Sequence, residues 1–395
     1  MTDTGTATER RRPRNRKAQI LTAAAEAFSE RGYHPVGIEE IAATVGISGP
    51  ALYRHFPTKY ALFVSAVLRL ADSLLAATEP AVITREDPEA QLDAVIGAII
   101  RTTIDNRRTG GLYRWEGRYL VGEDRRALRR SMATLHERVM NPLRQLRPDL
   151  PEADAALLAT ASISAVASIT AHRSALSAKQ IEESMLAAAQ SVLRTELPQQ
   201  SSESPHRESV LEHASKREEL LHHSIRLFYL HGYHEVGLDD IGAAASITAS
   251  SVYRYFPSKA ELLEAALHRA NAQLTDTLAG ALEHSNSPVD AVRTFARLYT
   301  ELTFRQGELV AVYFAEIGSL PADRRTTLRR IQRRNIDGWA QLLREARPNT
   351  SVVVSRFLIH AALGLVFDVG RTVRFERSDR TVARVQQAMT AVLLG

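Results

Sequence analysis

The stretch "GISGPALYRHFPTK" (46–59) decides the fold, and the chain repeats it 200 positions later as "SITASSVYRYFPSK" (246–259). The shared register continues on both sides of these stretches. Identical pairs include Phe28/Phe228, Gly32/Gly232, Tyr33/Tyr233, Tyr113/Tyr313 and Arg147/Arg347. A period this long indicates a duplicated domain rather than a solenoid repeat, with about 190 residues in each copy.

The composition is that of a globular protein, with 395 residues of which 45% are hydrophobic and 24% charged. At about 100–200 residues per domain, this length favours two or more domains. The absence of cysteine excludes disulfides and thiolate metal sites and agrees with a reducing compartment. The net charge of +5 mildly favours a polyanionic partner.

The first residues are polar and arginine-rich and lack the apolar segment of a signal peptide, so we expect a cytoplasmic protein. The longest apolar stretches, such as residues 357–367, are interrupted by His360 and are shorter than a bilayer-spanning segment. The sequence therefore predicts no membrane partner.

The content of Pro, Gln and Ser in "LPQQSSESPHRES" (197–209) marks a linker between the copies. The sequence thus predicts six parts in the chain. They are a basic disordered arm (1–13), a first helix-turn-helix domain (14–62), a first helical regulatory domain (63–196), the linker (197–213), a second helix-turn-helix domain (214–262) and a second helical regulatory domain (263–395).

Apolar residues recur at one-face helical spacing through each copy, as at Ile20, Ala24 and Phe28 before the helix stop at Gly32. Two short helices follow, near 38–45 and 49–55, and Pro57 ends the second. Longer amphipathic segments are predicted near 88–108, 111–120, 125–146, 152–173 and 178–195. Strand-type alternation is nearly absent, so the predicted fold class is all-α, with two tandem copies of a three-helix unit and a larger helical body.

A short helix, a tight turn and a second short helix form a helix-turn-helix, whose second helix presents its first residues to base edges in the major groove. Small residues there allow a close approach, Ser48 is suited to cap the helix, and hydroxyl, imidazole and cationic groups suit phosphates. The candidate DNA-binding residues of the first copy are Ser48, Gly49, Pro50, Tyr53, Arg54, His55 and Lys59. Those of the second copy are Thr248, Ala249, Ser250, Ser251, Tyr253, Arg254, Tyr255 and Lys259.

The arginine run "ERRRPRNRK" (9–17) precedes the first helix. It is interpreted either as an arm that follows the DNA backbone or enters a minor groove, or as a solvated tail. Arg16 and Lys17, nearest the helix, are the candidates for DNA contact. The second copy has only Lys216 and Arg217 at this place, which predicts a poorer arm.

The first copy resembles the DNA-binding domain of the TetR family over about fifty residues. The resemblance is carried by Phe28-x-x-x-Gly32-Tyr33, Ile38-x-x-Ile41-Ala42, Gly46-Ile47-Ser48 and Leu52-Tyr53-x-His55-Phe56-x-x-Lys59. It implies that Tyr53, His55 and Lys59 contact phosphates, that residues 48–50 face bases, and that Tyr253 and Lys259 have the matching phosphate roles. Two such modules resemble the tandem TetR regulators, which include a mycobacterial repressor of a mammalian-cell-entry operon.

The second copy departs from this pattern in its turn, where Ser246 replaces Gly46, and turn glycines often serve positive φ. Tyr255 also replaces His55. We expect slight strain in this turn. Because residues 49–51 and 249–251 differ, we also expect the two helices to read different half-sites of an asymmetric operator.

TetR-like proteins hold a ligand in the helical body, and the segment "LYRWEGRYL" (112–120) mixes aromatic and polar side chains as a ligand wall does. The predicted ligand-binding residues are Tyr113, Trp115, Arg118, Tyr119 and, in the second copy, Tyr313. The alternative is a core helix whose aromatic residues only pack. The predicted effector is a small apolar or lipid-like molecule. Glu116 and Glu316, which share a register, are expected to make structural ion pairs with arginines such as Arg118 or Arg125.

TetR-like proteins pair through their last two long helices, and here the two copies differ. Residues 153–170 are rich in Ala and Ser, whereas residues 351–369 are rich in Val, Leu and Phe. A small face and a large face interdigitate better with each other than each with itself. The sequence therefore predicts a monomer whose two copies pair as an intrachain pseudo-dimer.

These patterns predict a ligand-responsive transcriptional regulator, with repression as the expected mode, that binds double-stranded operator DNA through two heads about 34 Å apart. The alternative is one active head, with the second copy serving as a protein-interaction or dimerisation module. No HExxH, GxGxxG, P-loop or GxSxG motif occurs, so the chain is not expected to be an enzyme. No metal or cofactor is predicted.

Overall fold

The computed structural model describes residues 15–84, 87–199 and 215–395, without the side chains of Trp115 and Glu116. The predicted basic arm (1–13) and most of the predicted linker lie outside the described residues. Every regular element in the described ranges is a helix, which confirms the all-α class.

The first copy contains nine α-helices within its described residues, and two 3-10 turns, Glu116–Tyr119 and Ser168–Thr170, extend α6 and α8. The helices are α1 (Arg16–Arg31), α2 (Ile38–Thr44), α3 (Gly49–Tyr53), α4 (Lys59–Thr84), α5 (Pro88–Asp105), α6 (Leu112–Trp115), α7 (Gly122–Leu146), α8 (Glu152–Ala167) and α9 (Ala178–Arg194).

The second copy repeats this order within its described residues, with one 3-10 turn at Ile317–Ser319. Its helices are α10 (Lys216–His231), α11 (Leu238–Ala244), α12 (Ala249–Val252), α13 (Lys259–Glu283), α14 (Pro288–Arg305), α15 (Gly307–Glu316), α16 (Ala322–Ala346), α17 (Val352–Thr372) and α18 (Asp379–Leu394).

Each copy begins with a head of three helices, α1–α3 or α10–α12. The apolar face of α1 is fully buried at Ile20, Ala24 and Phe28, and the helix ends at Gly32 with φ 85°. The following long helix, α4, starts at Lys59 and runs without a break past the predicted domain boundary at 62/63. Since α13 does the same in the second copy, each head is joined to its body through a shared helix.

The last two helices of the two copies pack together, α8 against α17 and α9 against α18, and form a four-helix bundle. The face of α8 at this bundle is small, with Ala161 and Ala165 fully buried, whereas α17 contributes Phe357 and Leu365, also fully buried. The small-on-large packing inferred from the sequence is therefore present within one chain.

One buried ion pair joins the copies at the edge of this bundle. Arg384 on α18 reaches Asp154 on α8, with Nη1 and Oδ1 2.9 Å apart and only 10% and 0% of the two side chains exposed. Gln199 donates a further hydrogen bond of 3.3 Å from Nε2 to the Asp154 carboxylate. A buried pair of this kind fixes register, because separation would leave a charge in an apolar surrounding.

In the described part of the chain, three helical segments are long and apolar enough to cross a membrane by length and composition alone: Lys59–Thr84, Glu152–Thr170 and Val352–Thr372. The expectation that every apolar stretch is too short was therefore wrong, because a helix continues through His360 and similar polar interruptions. The apolar windows of these segments are 44%, 72% and 67% buried. The contact between α8 and α17 covers part of the surface of the second and third segments with protein.

We predict that Asp154→Ala lowers the free energy of unfolding by about 3–5 kcal/mol, because it leaves Arg384 buried without its partner. The measurement is urea denaturation followed by circular dichroism. The matched control is Glu182→Ala, which breaks the exposed Arg101–Glu182 pair (2.7 Å) and should cost less than about 1 kcal/mol. Equal effects of the two changes would contradict the prediction.

Candidate nucleic-acid interface and effector cavities

The first head has the helix-turn-helix geometry. Its turn is closed by a hydrogen bond of 3.0 Å from Ile47 N to the Ala42 carbonyl, and Gly46 takes φ 67°. Ser48 precedes α3 in extended geometry, but its side chain makes no capping hydrogen bond, which corrects the prediction that it caps this helix.

Most candidate residues of the first head lie on its surface. Ser48, Pro50, Arg54 and His55 are exposed, and Tyr53 is 44% exposed. These side chains are available to DNA.

Gly49 differs from its neighbours because it is buried. A Cβ at Gly49 would meet Glu39 Oε1 on α2 at 3.3 Å. Its role is therefore the close packing of α3 on α2, and it offers little surface to bases.

The second head has the same geometry with a different recognition surface. The Thr248 hydroxyl caps α12 by accepting from Ser251 N (3.3 Å), and it also lies 2.9 Å from the Ser250 hydroxyl and 3.0 Å from the Ser251 hydroxyl. Ala249 is half-buried, whereas Arg254 is exposed. Tyr253 and Tyr255 are 55% and 39% exposed.

The turn of the second head is strained, as expected. Ser246 has φ 56°, a left-handed conformation that costs a residue with a Cβ roughly 1–2 kcal/mol. Gly46 takes the equivalent conformation in the first head without that cost.

The cations at the start of each head lie against the helix-turn-helix. Arg16 donates to the Val45 carbonyl at 2.8 Å, and the Lys17 ammonium lies 5.4 Å from the centre of the Phe56 ring. The second head repeats the arrangement with Lys216 and Arg217, whose guanidinium lies 4.5 Å from the Phe256 ring. Arg16 and Lys17 are thus placed beside the recognition unit.

The two lysines predicted to bind phosphate are engaged inside their own heads. Lys59 Nζ donates to the His34 carbonyl at 2.9 Å and lies over the Tyr33 ring. Lys259 Nζ donates to the carbonyls of Tyr233 and Val236, both at 2.8 Å. Burial lowers the pKa of both ammonium groups. Each lysine therefore stabilises the loop after the first helix of its head through hydrogen bonds to main-chain carbonyls. The sequence did not predict this role.

The two heads also touch each other through those loops. The rings of His34 and His234 stack with their centres 5.1 Å apart, and Tyr119 packs against His34 at 4.6 Å. Burial, and secondarily the neighbouring His234, lowers the pKa of His34, which favours neutral rings at this contact. Tyr119, predicted to bind ligand, lies instead between the heads.

An ion pair supports the second head from the first copy. Arg118 Nη2 lies 2.6 Å from Glu316 Oε1, whose side chain is 2% exposed. The same oxygen accepts a hydrogen bond of 3.0 Å from Tyr233 N. The predicted pairing of Glu316 with an arginine is confirmed, and it crosses between the copies.

A cleft of about 1290 Å³ opens beside α7 and α8 of the first copy and is closed on its far side by α15, α17 and α18. Two predicted ligand residues, Tyr113 and Arg118, line this first cleft. The side chain of Trp115 lies outside the described part of the chain.

The second copy has a much smaller cavity, of about 40 Å³, lined by Tyr313 among others. The Tyr313 hydroxyl donates to Asn271 Oδ1 at 3.0 Å, and burial raises its pKa. Among the described residues, no group of three or more His, Asp or Glu side chains is placed to hold a metal ion.

Residues 20–66 and 220–266 each match the model of the family described as "Bacterial regulatory proteins, tetR family". The HTH-type transcriptional activator FasR of Mycolicibacterium smegmatis is 40% identical over 89 residues, 22% of this chain and 41% of that protein. The nucleoid occlusion factor SlmA of Photorhabdus laumondii is 43% identical over 68 residues, 17% of this chain and 34% of that protein. The chain thus spans less than half the length of either relative.

Among solved structures, a TetR-family transcriptional regulator from Bordetella parapertussis is 22% identical, with a TM-score of 0.42 over 46% of this chain and 96% of that chain. The ketosteroid transcriptional regulator KstR2 of Mycobacterium tuberculosis is 20% identical, with a TM-score of 0.41 over 46% of this chain and 95% of that chain.

An all-helical chain with two helix-turn-helix heads on one body belongs to the class of helix-turn-helix proteins. More narrowly, the two matches make it a member of the TetR family, with the N-terminal domain of that family present twice in tandem. The matched family is described as regulatory proteins and FasR as a transcriptional activator, neither of which is an enzyme, and this confirms the prediction that the chain is not one.

We predict that Ser246→Gly stabilises the protein by about 1 kcal/mol, because glycine removes the cost of the left-handed turn. Differential scanning calorimetry measures the change. The reciprocal change Gly46→Ser is the control and should destabilise the first head by a similar amount. A loss of stability in Ser246→Gly would be inconsistent with a strained turn.

Proposed function

We propose that this protein is a ligand-responsive transcriptional regulator that binds operator DNA through both heads of a single chain. The observation that supports this most is the bundle of α8, α9, α17 and α18, which joins two helix-turn-helix heads within one molecule. A helix-turn-helix protein needs two recognition helices for successive major grooves, and relatives with one head obtain the second by dimerising. In this proposal the functional unit is a monomeric pseudo-dimer.

The proposed DNA surface consists of the exposed side chains of α3 and α12 with the cations beside them. In the first head these are Ser48, Pro50, Tyr53, Arg54, His55, Arg16 and Lys17. In the second head they are Thr248, Ser250, Ser251, Tyr253, Arg254 and Tyr255, with Ala249 at the edge. Lys59 and Lys259 contribute only if they exchange part of their loop contacts for a phosphate.

The proposed operator is asymmetric. The first head presents Pro50 and His55 where the second presents Ser250 and Tyr255, so the two helices offer different chemistry to the groove. The hydroxyl groups of Ser250 and Ser251 lie close to that of Thr248, so the start of α12 is more polar than the start of α3. Different tips favour different half-sites.

The proposed regulation is a shift between two arrangements of the heads. Because α4 and α13 each belong to a head and to a body, a ligand that moves either helix changes the spacing of the recognition helices. The ligand acts through its different affinity for the DNA-bound and free arrangements. We propose repression relieved by a small effector in the cytoplasm, with activation, the action named for FasR, as the other outcome.

The alternative of one active head finds less support. The second head keeps an exposed arginine and two exposed tyrosines at the positions that the first head uses. If the second head served only as a protein-interaction surface, this arginine and these two tyrosines would not have to be retained.

We predict that Arg54→Ala and Arg254→Ala each weaken operator binding by about tenfold or more, since a good arginine contact is worth roughly 1–3 kcal/mol. Fluorescence anisotropy on DNA from upstream of the gene gives the Kd at fixed salt. Arg101→Ala, on the exposed face of α5, is the control and should bind normally. Unchanged affinity in Arg254→Ala alone would instead support the single-head alternative.

We further predict one chain per operator. Native mass spectrometry of the protein, alone and with operator DNA, should give the mass of a single chain in both cases. Nuclease footprinting of the same complex should give a protected site without dyad symmetry. Two chains on each operator would refute the intrachain pseudo-dimer.

A further inference from the structure

The first cleft and the second cavity are the same place in the two copies. Their linings correspond through the offset of 200 residues. Matching wall positions include Tyr113/Tyr313, Met132/Gln332, Leu135/Asn335, His136/Ile336, Ile163/Leu363 and Ser164/Gly364. At these equivalent positions the first copy, together with α15, α17 and α18 of the second, borders a cleft of about 1290 Å³, whereas the second copy surrounds a cavity of about 40 Å³.

Larger side chains account for the closure of the second cavity. Trp339 is 2% exposed and packs on Phe295, with ring centres 5.0 Å apart. His360 stacks on His172 at 4.0 Å. The first copy has smaller or more polar residues at the equivalent positions, in the pairs Val139/Trp339, Thr160/His360, Ala167/Phe367 and Arg114/Phe314.

The open first cleft has room for a ligand, and its wall has two parts. The apolar part includes Met132, Leu157, Ile163 and Val312. A volume above the usual range of roughly 300–1,000 Å³ for ligand pockets, together with an apolar wall, leaves room for a hydrocarbon body.

The other part of the wall is cationic. Six arginines and one carboxylate, that of Asp368, are among its described lining residues. The arginines are Arg114, Arg118, Arg125, Arg129, Arg371 and Arg384. Glu316 and Asp154 pair with two of them from outside the lining, which leaves an excess of three positive charges among these groups.

Two of these arginines, Arg125 and Arg129, have exposed side chains. Arg125 donates to the main-chain carbonyls of Leu120 (2.7 Å) and Arg118 (2.8 Å). Arg129 lies one turn further along α7 and is exposed at the cleft. Guanidinium groups bind carboxylates and phosphates through charge-assisted hydrogen bonds.

We propose that the first cleft is the single effector site of the chain and that it takes one amphipathic anion, a hydrocarbon body that carries a carboxylate or phosphate. The second cavity is part of the packed interior of the second copy, and its own side chains occupy the space that a ligand would need. The effect of the ligand on DNA binding rests on the proposed function, but the occupancy of the cleft does not.

Isothermal titration calorimetry of the full chain without DNA tests the site. The probes are decanoate, decanoyl coenzyme A and the neutral 1-decanol, so that the carboxylate and the phosphate source of negative charge are compared. We expect one equivalent of at least one anionic probe per chain, with 1-decanol bound at least about tenfold more weakly. Equal binding of alcohol and anions, two equivalents per chain, or no saturable binding of either anion would overturn the proposal.

Paired variants locate the site. Arg129→Ala should weaken the anionic probe about tenfold, whereas the matched Arg329→Ala in the second copy should leave its Kd unchanged. The double variant Ala167→Phe/Thr160→His installs the side chains of the second cavity and should abolish binding, with its fold checked by circular dichroism. Because Arg129 is exposed, Arg129→Ala should fold normally, so it tests the location of the anion site even if the double variant does not fold. An equal loss in both arginine variants, or in neither, would refute the assignment.

The two proposals fail separately. Loss of operator binding in every assay, with calorimetry as expected, would refute the DNA-binding function and leave the anion site in place. Normal operator binding without anion binding would refute only the effector site.

Discussion

The packing of α8 against α17 is the contact on which the arrangement of the molecule depends. Small residues on one helix and large residues on the other allow close approach without voids, and dense packing of this kind tolerates little displacement. Each of these helices also belongs to the body that carries one head. The relative position of the two heads in this structure therefore depends on this interface together with the direct contacts between the heads.

Covalent linkage also removes a constraint that a homodimer must obey. In a symmetric dimer each residue appears at both equivalent positions, so a face must be complementary to itself. Here Ala167 and Phe367, or Val139 and Trp339, occupy equivalent positions with different volumes. One site can thus stay open while its counterpart becomes core, and one ion pair, Asp154–Arg384, has no equivalent because Val354 and Ser184 stand at the matching positions.

The sequence predicted the fold well because the fold is recorded in local patterns. The offset of 200, the helical periodicity and the turn at Gly46 and Ser246 are readable without coordinates, and the small and large faces of α8 and α17 pointed to their pairing. What could not be predicted was the partner of most polar side chains, the pairing of Glu316 with Arg118 being an exception. The motif predicts Lys59 and Lys259 as phosphate ligands from residue type alone, whereas their hydrogen bonds to loop carbonyls depend on contacts in the folded chain. The position of Tyr119 and the size difference between the two cavities depend in the same way on contacts between distant segments. The residue pairs Val139/Trp339 and Ala167/Phe367 nevertheless indicated the size difference.

The pair of Arg118 and Glu316 links the cleft to a head. Arg118 lines the first cleft, and Glu316, almost wholly buried, uses one oxygen both for Arg118 and for the backbone N–H of Tyr233. An anion in the cleft would compete with Glu316 for the guanidinium. Glu316 would then lose its counterion in a buried place, where an unpaired charge is costly, and the loop that Lys259 clamps would have to adjust. The second head is thus the one that an occupant of the first cleft would reach directly, since this chain of contacts runs from the first copy to the second.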